Sequence, residues 1–102
     1  MTIDIAPQAR TKIATLVKRD LDGFRGEAHL YHVTDGVHEG YVVVSGVVAF
    51  DTGPETYIFP ADEHGNVVSW GELAGSFKGD IDHERALRDA GFTISLGELR
   101  AA

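Results

Sequence analysis

The sequence contains no cysteine, which excludes a disulfide framework, thiol catalysis and any zinc site built on sulfur. It also lacks a long apolar run: segments such as Val47–Phe50 are far too short to cross a bilayer. Met1 leads into Thr-Ile-Asp-Ile-Ala-Pro with no basic start followed by an apolar stretch, so a cytoplasmic protein without membrane contact is expected.

The most informative absence is of positive charge. Between Gly26 and Phe77 there is no Lys or Arg, yet that stretch holds eight carboxylates (Glu27, Asp35, Glu39, Asp51, Glu55, Asp62, Glu63, Glu72) and four of the five histidines. The first 25 residues carry five basic and three acidic side chains, and the last 25 carry four and five, so the net charge of −7 sits in the middle. Such a block repels phosphate backbones and anionic lipid and attracts basic surfaces, most strongly at low salt. Tyr31, Tyr41, Tyr57 and Trp70 could stack on bases, but a sheet without Lys or Arg cannot neutralise phosphate, and nucleic-acid binding is not expected.

What is present is ordinary for a folded domain: 102 residues, 43% hydrophobic and 25% charged. That is enough for one domain, 1–102, with one core. From Ala6 to Phe24 the apolar residues Ala9, Ile13, Leu16, Val17, Leu21 and Phe24 recur three and four apart, which predicts an amphipathic helix capped by Asp4 and stopped at Asp22-Gly23. Beyond Glu27 the pattern turns to strands. The runs 28–34 and 37–50 flank Asp35-Gly36, a tight-turn signal that places His32 opposite Glu39; the alternative is a looser loop, 35–40.

A turn at Thr52-Gly53-Pro54-Glu55 places Phe50 opposite Tyr57 and Val48 opposite Phe59, and a further turn through Asp62 to Gly65 brings Trp70 opposite Tyr57. Phe50, Tyr57, Phe59 and Trp70 would then share one face. The other face, with Tyr41, Val43, Ser45, Val47 and Ala49, is too apolar for water and needs helices on both sides or a second subunit. Near the end, Asp80 or Asp82 can cap a short helix containing Ala86, Leu87 and Ala90, closed by Gly91 before Phe92-Thr93-Ile94. The segment 95–102 has too little apolar content to require order. The fold expected is therefore α+β: a four-stranded antiparallel meander with an N-terminal amphipathic helix and a short C-terminal helix.

Chemical motifs are sparse. His29 and His32 are three apart on a strand and point to opposite faces, so they cannot share an ion. His32 beside Glu39 forms a cross-strand acid–imidazole pair whose usual worth is that of a surface ion pair, under about 1 kcal/mol. Asp62-Glu63-His64-Gly65 lacks the ligand pattern of an EF-hand, and His83-Glu84 lacks the second histidine of a zinc-protease motif, since position 87 is Leu. No catalytic, cofactor-binding or metal-binding residue is assigned on these grounds.

The segment Tyr41–Ser45, the turn Thr52–Tyr57 with Phe59-Pro60, the stretch Gly65 to Leu73 and the closing His83-Glu84, Ala86-Leu87 and Ala90-Gly91-Phe92 together resemble small uncharacterised proteins encoded by actinobacterial phages. The resemblance spans residues 40–92. It implies a cytoplasmic accessory protein of an infected or lysogenic actinobacterium, with no cofactor and no established active residues.

The function expected first is a non-enzymatic module that binds a basic patch on a host or phage protein through Asp51, Glu55, Asp62 and Glu63. A second expectation is a homodimer or larger homo-oligomer joined through Tyr41, Val43, Val47 and Ile58. The third is a small ligand-binding or enzymatic domain using His32 and Glu39.

Overall fold

The computed structural model describes residues 12–95. Within them the chain forms six strands and one helix: β1 Ile13–Lys18, β2 Glu27–Thr34, β3 Glu39–Ala49, β4 Gly53–Ala61, β5 Phe77–Lys78, α1 His83–Asp89 and β6 Thr93–Ser95. The strands make one sheet in the order β5-β4-β3-β2-β1-β6, curled into a half-barrel. All neighbours are antiparallel except β1 and β6, which run parallel with Ile13 opposite Thr93.

This architecture replaces the expected four-stranded meander with flanking helices. The segment predicted as an N-terminal helix enters the described region as β1, and its earlier part, residues 6–11, lies outside it. The spacing of Ile13, Leu16 and Val17 suits a helix, but Ile13, Thr15 and Val17 are β-branched at alternate positions, and that favours a strand. The strand period also explains the burial: Ala14 and Leu16 are enclosed on one face. β1 then gains ladders on both sides, from β2 and β6.

Two registers also differ from expectation. At the first hairpin Thr34 pairs with Glu39, so the loop is the four residues Asp35–His38. Asp35 Oδ1 accepts the amides of Val37 and His38 at 2.9 and 2.8 Å, an Asx turn that widens the loop. The slip is by two residues along β3, which leaves every side chain on its expected face. At the second hairpin Ala49 pairs with Gly53, whose φ of 81° lets the chain reverse over the three residues Phe50, Asp51 and Thr52. Here the slip is odd, and the faces exchange. Tyr57 and Phe59 lie opposite Ser45 and Val43, whereas Phe50 points into solvent at 103% exposure. The expected fourth meander strand reduces to one bridge, Ala61 to Val67.

Both faces of the sheet are apolar, and the chain covers each differently. Against one, α1 packs Ala86 and Leu87 onto Ala14, Leu16, Tyr31, Val42, Val44 and Ile58. Against the other, loop residues Leu21, Phe24 and Val67 close over Ala28, Leu30 and Val43. Trp70 lies edge-on to Phe59 at 5.0 Å and tilted to Phe24 at 6.3 Å, extending that second cover. The C-terminal helix has the expected form, with the Asp82 side chain accepting the Arg85 amide at its start and Gly91, at φ 98°, following its end.

Leu87 is fully buried, so Leu87→Ala should cost about 2–5 kcal/mol of stability in urea unfolding. Phe50→Ser should change it by less than about 0.5 kcal/mol, since the ring touches water on all sides.

Candidate functional site

Glu27, His29 and Tyr31 occupy alternate positions of β2 and so share one face, the face that α1 covers. What brings α1 against them is set on the two neighbouring strands. Gly46 on β3 lies opposite Glu27, and a Cβ there would stand 2.3 Å from Ile81 Cγ2 and 3.3 Å from His83 Cε1. The missing side chain is the space that Ile81 and His83 fill. Next to it on β4, the fully buried Thr56 hydroxyl donates to the Asp80 carbonyl at 2.9 Å and accepts the Asp82 amide at 3.0 Å. These two bonds fix the approach to α1 and deliver its first residue, His83, to β2.

The result is a cluster of two imidazoles and a carboxylate, with one donor atom from each of Glu27, His29 and His83 within 4.8 Å of the others. The His29 and His83 rings are 4.4 Å apart, tilted by 38°. His29 is 4% exposed, His83 half-buried and Glu27 exposed.

The hydrogen bonds define the protons. The Asp20 amide donates to His29 Nδ1 at 3.1 Å, so that nitrogen carries no proton; Nε2 therefore carries it and donates to Glu27 Oε2 at 2.9 Å. Burial, then the neighbouring His83, hold the His29 pKa below its ordinary 6.5, outweighing the Glu27 carboxylate. Asp20 itself has φ 54°, a conformation that Asp tolerates better than most residues, and the bond to His29 helps to retain it. On the other ring, His83 Nε2 meets the Glu27 carbonyl at 2.8 Å and donates to it, which leaves Nδ1 as an acceptor.

The cluster opens into a hollow of about 270 Å³ that Arg19, Tyr31 and Glu84 also line. Tyr31 is 2% exposed, and its hydroxyl has no hydrogen-bond partner among the described residues. A buried hydroxyl left unpaired costs about 1–3 kcal/mol. Burial and Glu84 raise its pKa, and Arg19 acts the other way. Three other hollows are roomier. His32 is the one ionisable residue of the first, about 440 Å³. The second, about 310 Å³, has Lys12, Asp35, His38, Glu39 and Tyr41 in its lining, but Lys12 is committed to the Ala90 carbonyl at 2.7 Å and to the Phe92 ring, and Glu39 to His32. The third, also about 310 Å³, is lined by Arg25 and again by Glu27.

The residues singled out from the sequence are placed apart from this cluster. His32 and Glu39 do meet, Nε2 to Oε1 at 2.8 Å, as diagonal neighbours with His32 edge-on to Tyr41, but on the opposite face of β2 from His29. Of the acidic set, Asp51 and Glu63 are exposed. Glu55 is 5% exposed, accepts hydrogen bonds from the Thr52 and Tyr57 hydroxyls and is held below the usual carboxylate range by them; Tyr57 is correspondingly pushed up to about 12. Asp62 accepts the amides of His64 and Asn66 within its own turn, and these bonds lower its pKa, Asn66 most. Tyr41, Val43 and Val47 lie on one face of the sheet and Ile58 on the other, with Val43 and Ile58 fully buried.

In the sequence His29 stands out only as half of a pair with His32, and His83 only as a broken motif. The spacing Glu27-x-His29 was the usable signal, since two residues apart on a strand share a face. Nothing local announces His83, which arrives through the packing of Ile81 on Gly46.

Comparison of the chain with protein-family models, with curated proteins and with solved structures gives no match. Among the described residues no helix is long and apolar enough to cross a membrane.

Because the folded His29 pKa is lowered, the unfolded chain binds a proton first as pH falls. The stability due to neutral His29 is thus complete above 6.5 and is lost as pH drops through the lower folded value. Denaturation between pH 7.5 and 5.5 should show declining stability, and His29→Gln should flatten that decline.

Proposed function

We propose that this chain is a small ligand-binding domain that holds a divalent transition-metal ion between β2 and α1 through Glu27, His29 and His83. The observation that carries this reading is the convergence of two imidazoles and a carboxylate from two separate elements, their donor atoms within 4.8 Å. Two nitrogens and an oxygen suit zinc or its neighbours, whereas magnesium and calcium prefer oxygen alone. Three protein donors also leave a fourth position for water or a further ligand.

The two histidines come to the ion differently. On His83 the bond from Nε2 to the Glu27 carbonyl orients the ring, so Nδ1 is the nitrogen left to take the ion. His29 must change. An ion on Nε2 displaces the proton there, and the ring stays neutral only if that proton moves to Nδ1, where the Asp20 amide now donates. Uptake therefore ends both hydrogen bonds of the ring; Glu27 exchanges its bond for the ion, whereas the one from the Asp20 amide, about 0.5–1.5 kcal/mol, is lost without replacement and moderates the affinity.

Calorimetric titration with zinc at pH 7.5 should give one ion per chain, weakened at least about tenfold by His83→Ala and by Glu27→Gln. In the same titration followed by NMR, the Asp20 amide should shift early. Zinc binding that both substitutions leave unchanged would refute the assignment, because the ion would then be held elsewhere.

A further inference from the structure

The hollow beside the cluster is lined also by Tyr31, whose buried hydroxyl lacks a partner among the described residues, and by Arg19, which makes no ion pair among them. The carboxylates nearby are already engaged. Glu84 pairs with Arg88 at 3.0 Å, and Asp82 Oδ1 accepts the Arg85 amide at 3.0 Å. A hydroxyl donor and a guanidinium in the same hollow as a cation with an open position form a complementary set for an anion with two oxygens.

We infer that the hollow takes a small carboxylate as the second ligand of the bound ion, one oxygen on the metal and the other held by the Tyr31 hydroxyl and the Arg19 guanidinium. This rests on the metal reading above. A carboxylate is preferred over phosphate by charge, because Glu27, Asp82 and Glu84 border the hollow and oppose a second negative charge. The volume of about 270 Å³ is ample for a small organic acid.

The test uses the full chain loaded with Co²⁺, whose visible absorption reports its coordination. Acetate and inorganic phosphate are titrated in turn into the wild type, Tyr31→Phe and Arg19→Gln. Tyr31→Phe keeps the buried ring, and Arg19 lies on the exposed rim, so the two variants do not share a folding risk.

The expected result is a saturable spectral change with acetate, weakened about tenfold in each variant, with Co²⁺ affinity in the absence of acetate unchanged. Phosphate should act at higher concentration than acetate. Acetate titrating identically in all three proteins overturns the carboxylate site and leaves the metal site standing. Phosphate binding more tightly than acetate overturns the choice of anion. Absence of any protein-dependent Co²⁺ spectrum overturns the metal reading and this inference with it.

Discussion

Strand β3 is apolar on both faces over most of its length, and the chain must therefore exclude water twice from one sheet. Val42 and Val44 point to one side and Val43 to the other, all nearly or fully buried. An antiparallel sheet normally leaves one face to solvent. Here α1 takes one face and the loops carrying Leu21, Phe24 and Val67 take the other. The loops do the work that either a second helix or a second copy of the chain would otherwise have to do. Because α1 has to lie across β3 and β4 to cover its face, its first residue falls beside β2, and the histidine cluster is a by-product of that coverage.

How far the sequence revealed this depends on the range of the forces involved. The C-terminal helix was legible because its determinants are local: Asp82 at its start, Ala86 and Leu87 on one side, Gly91 after its end. β1 carries both signals, Ile13, Leu16 and Val17 at helical spacing and the β-branched Ile13, Thr15 and Val17 at strand spacing, and the choice is made by partners far along the chain, β2 on one side and Thr93–Ser95 on the other. The β3–β4 register turned on one residue. Gly53, rather than the four-residue turn around it, reverses the chain, and this moved Phe50 out of the aromatic set while Tyr57, Phe59 and Trp70 stayed near one another.

The site was legible only in half. Glu27 and His29 are two apart on a strand, and that is readable without coordinates. His83 depends on the absence of a side chain at Gly46 and on the buried Thr56 hydroxyl bonded to the backbone of Asp80 and Asp82. Neither residue carries chemistry of its own, and no motif search would select them. His32 and Glu39, the pair that did stand out, form the contact expected of them, yet they sit on the wrong side of β2 to join the cluster.

The parallel pairing of β1 with β6 joins one of the first described strands to the last, Ile13 beside Thr93. During synthesis β1 and β2 can meet as soon as both have emerged, but among the described residues the outer edge of β1 has no strand beside it until Thr93–Ser95 leaves the ribosome. For that interval the nascent sheet exposes a row of unpaired amides and carbonyls beside an apolar surface, the arrangement most prone to pairing with another chain. The three residues of β6 thus act as a late closure, and ribosomes that stall before residue 93 would release a chain with an open, adhesive edge.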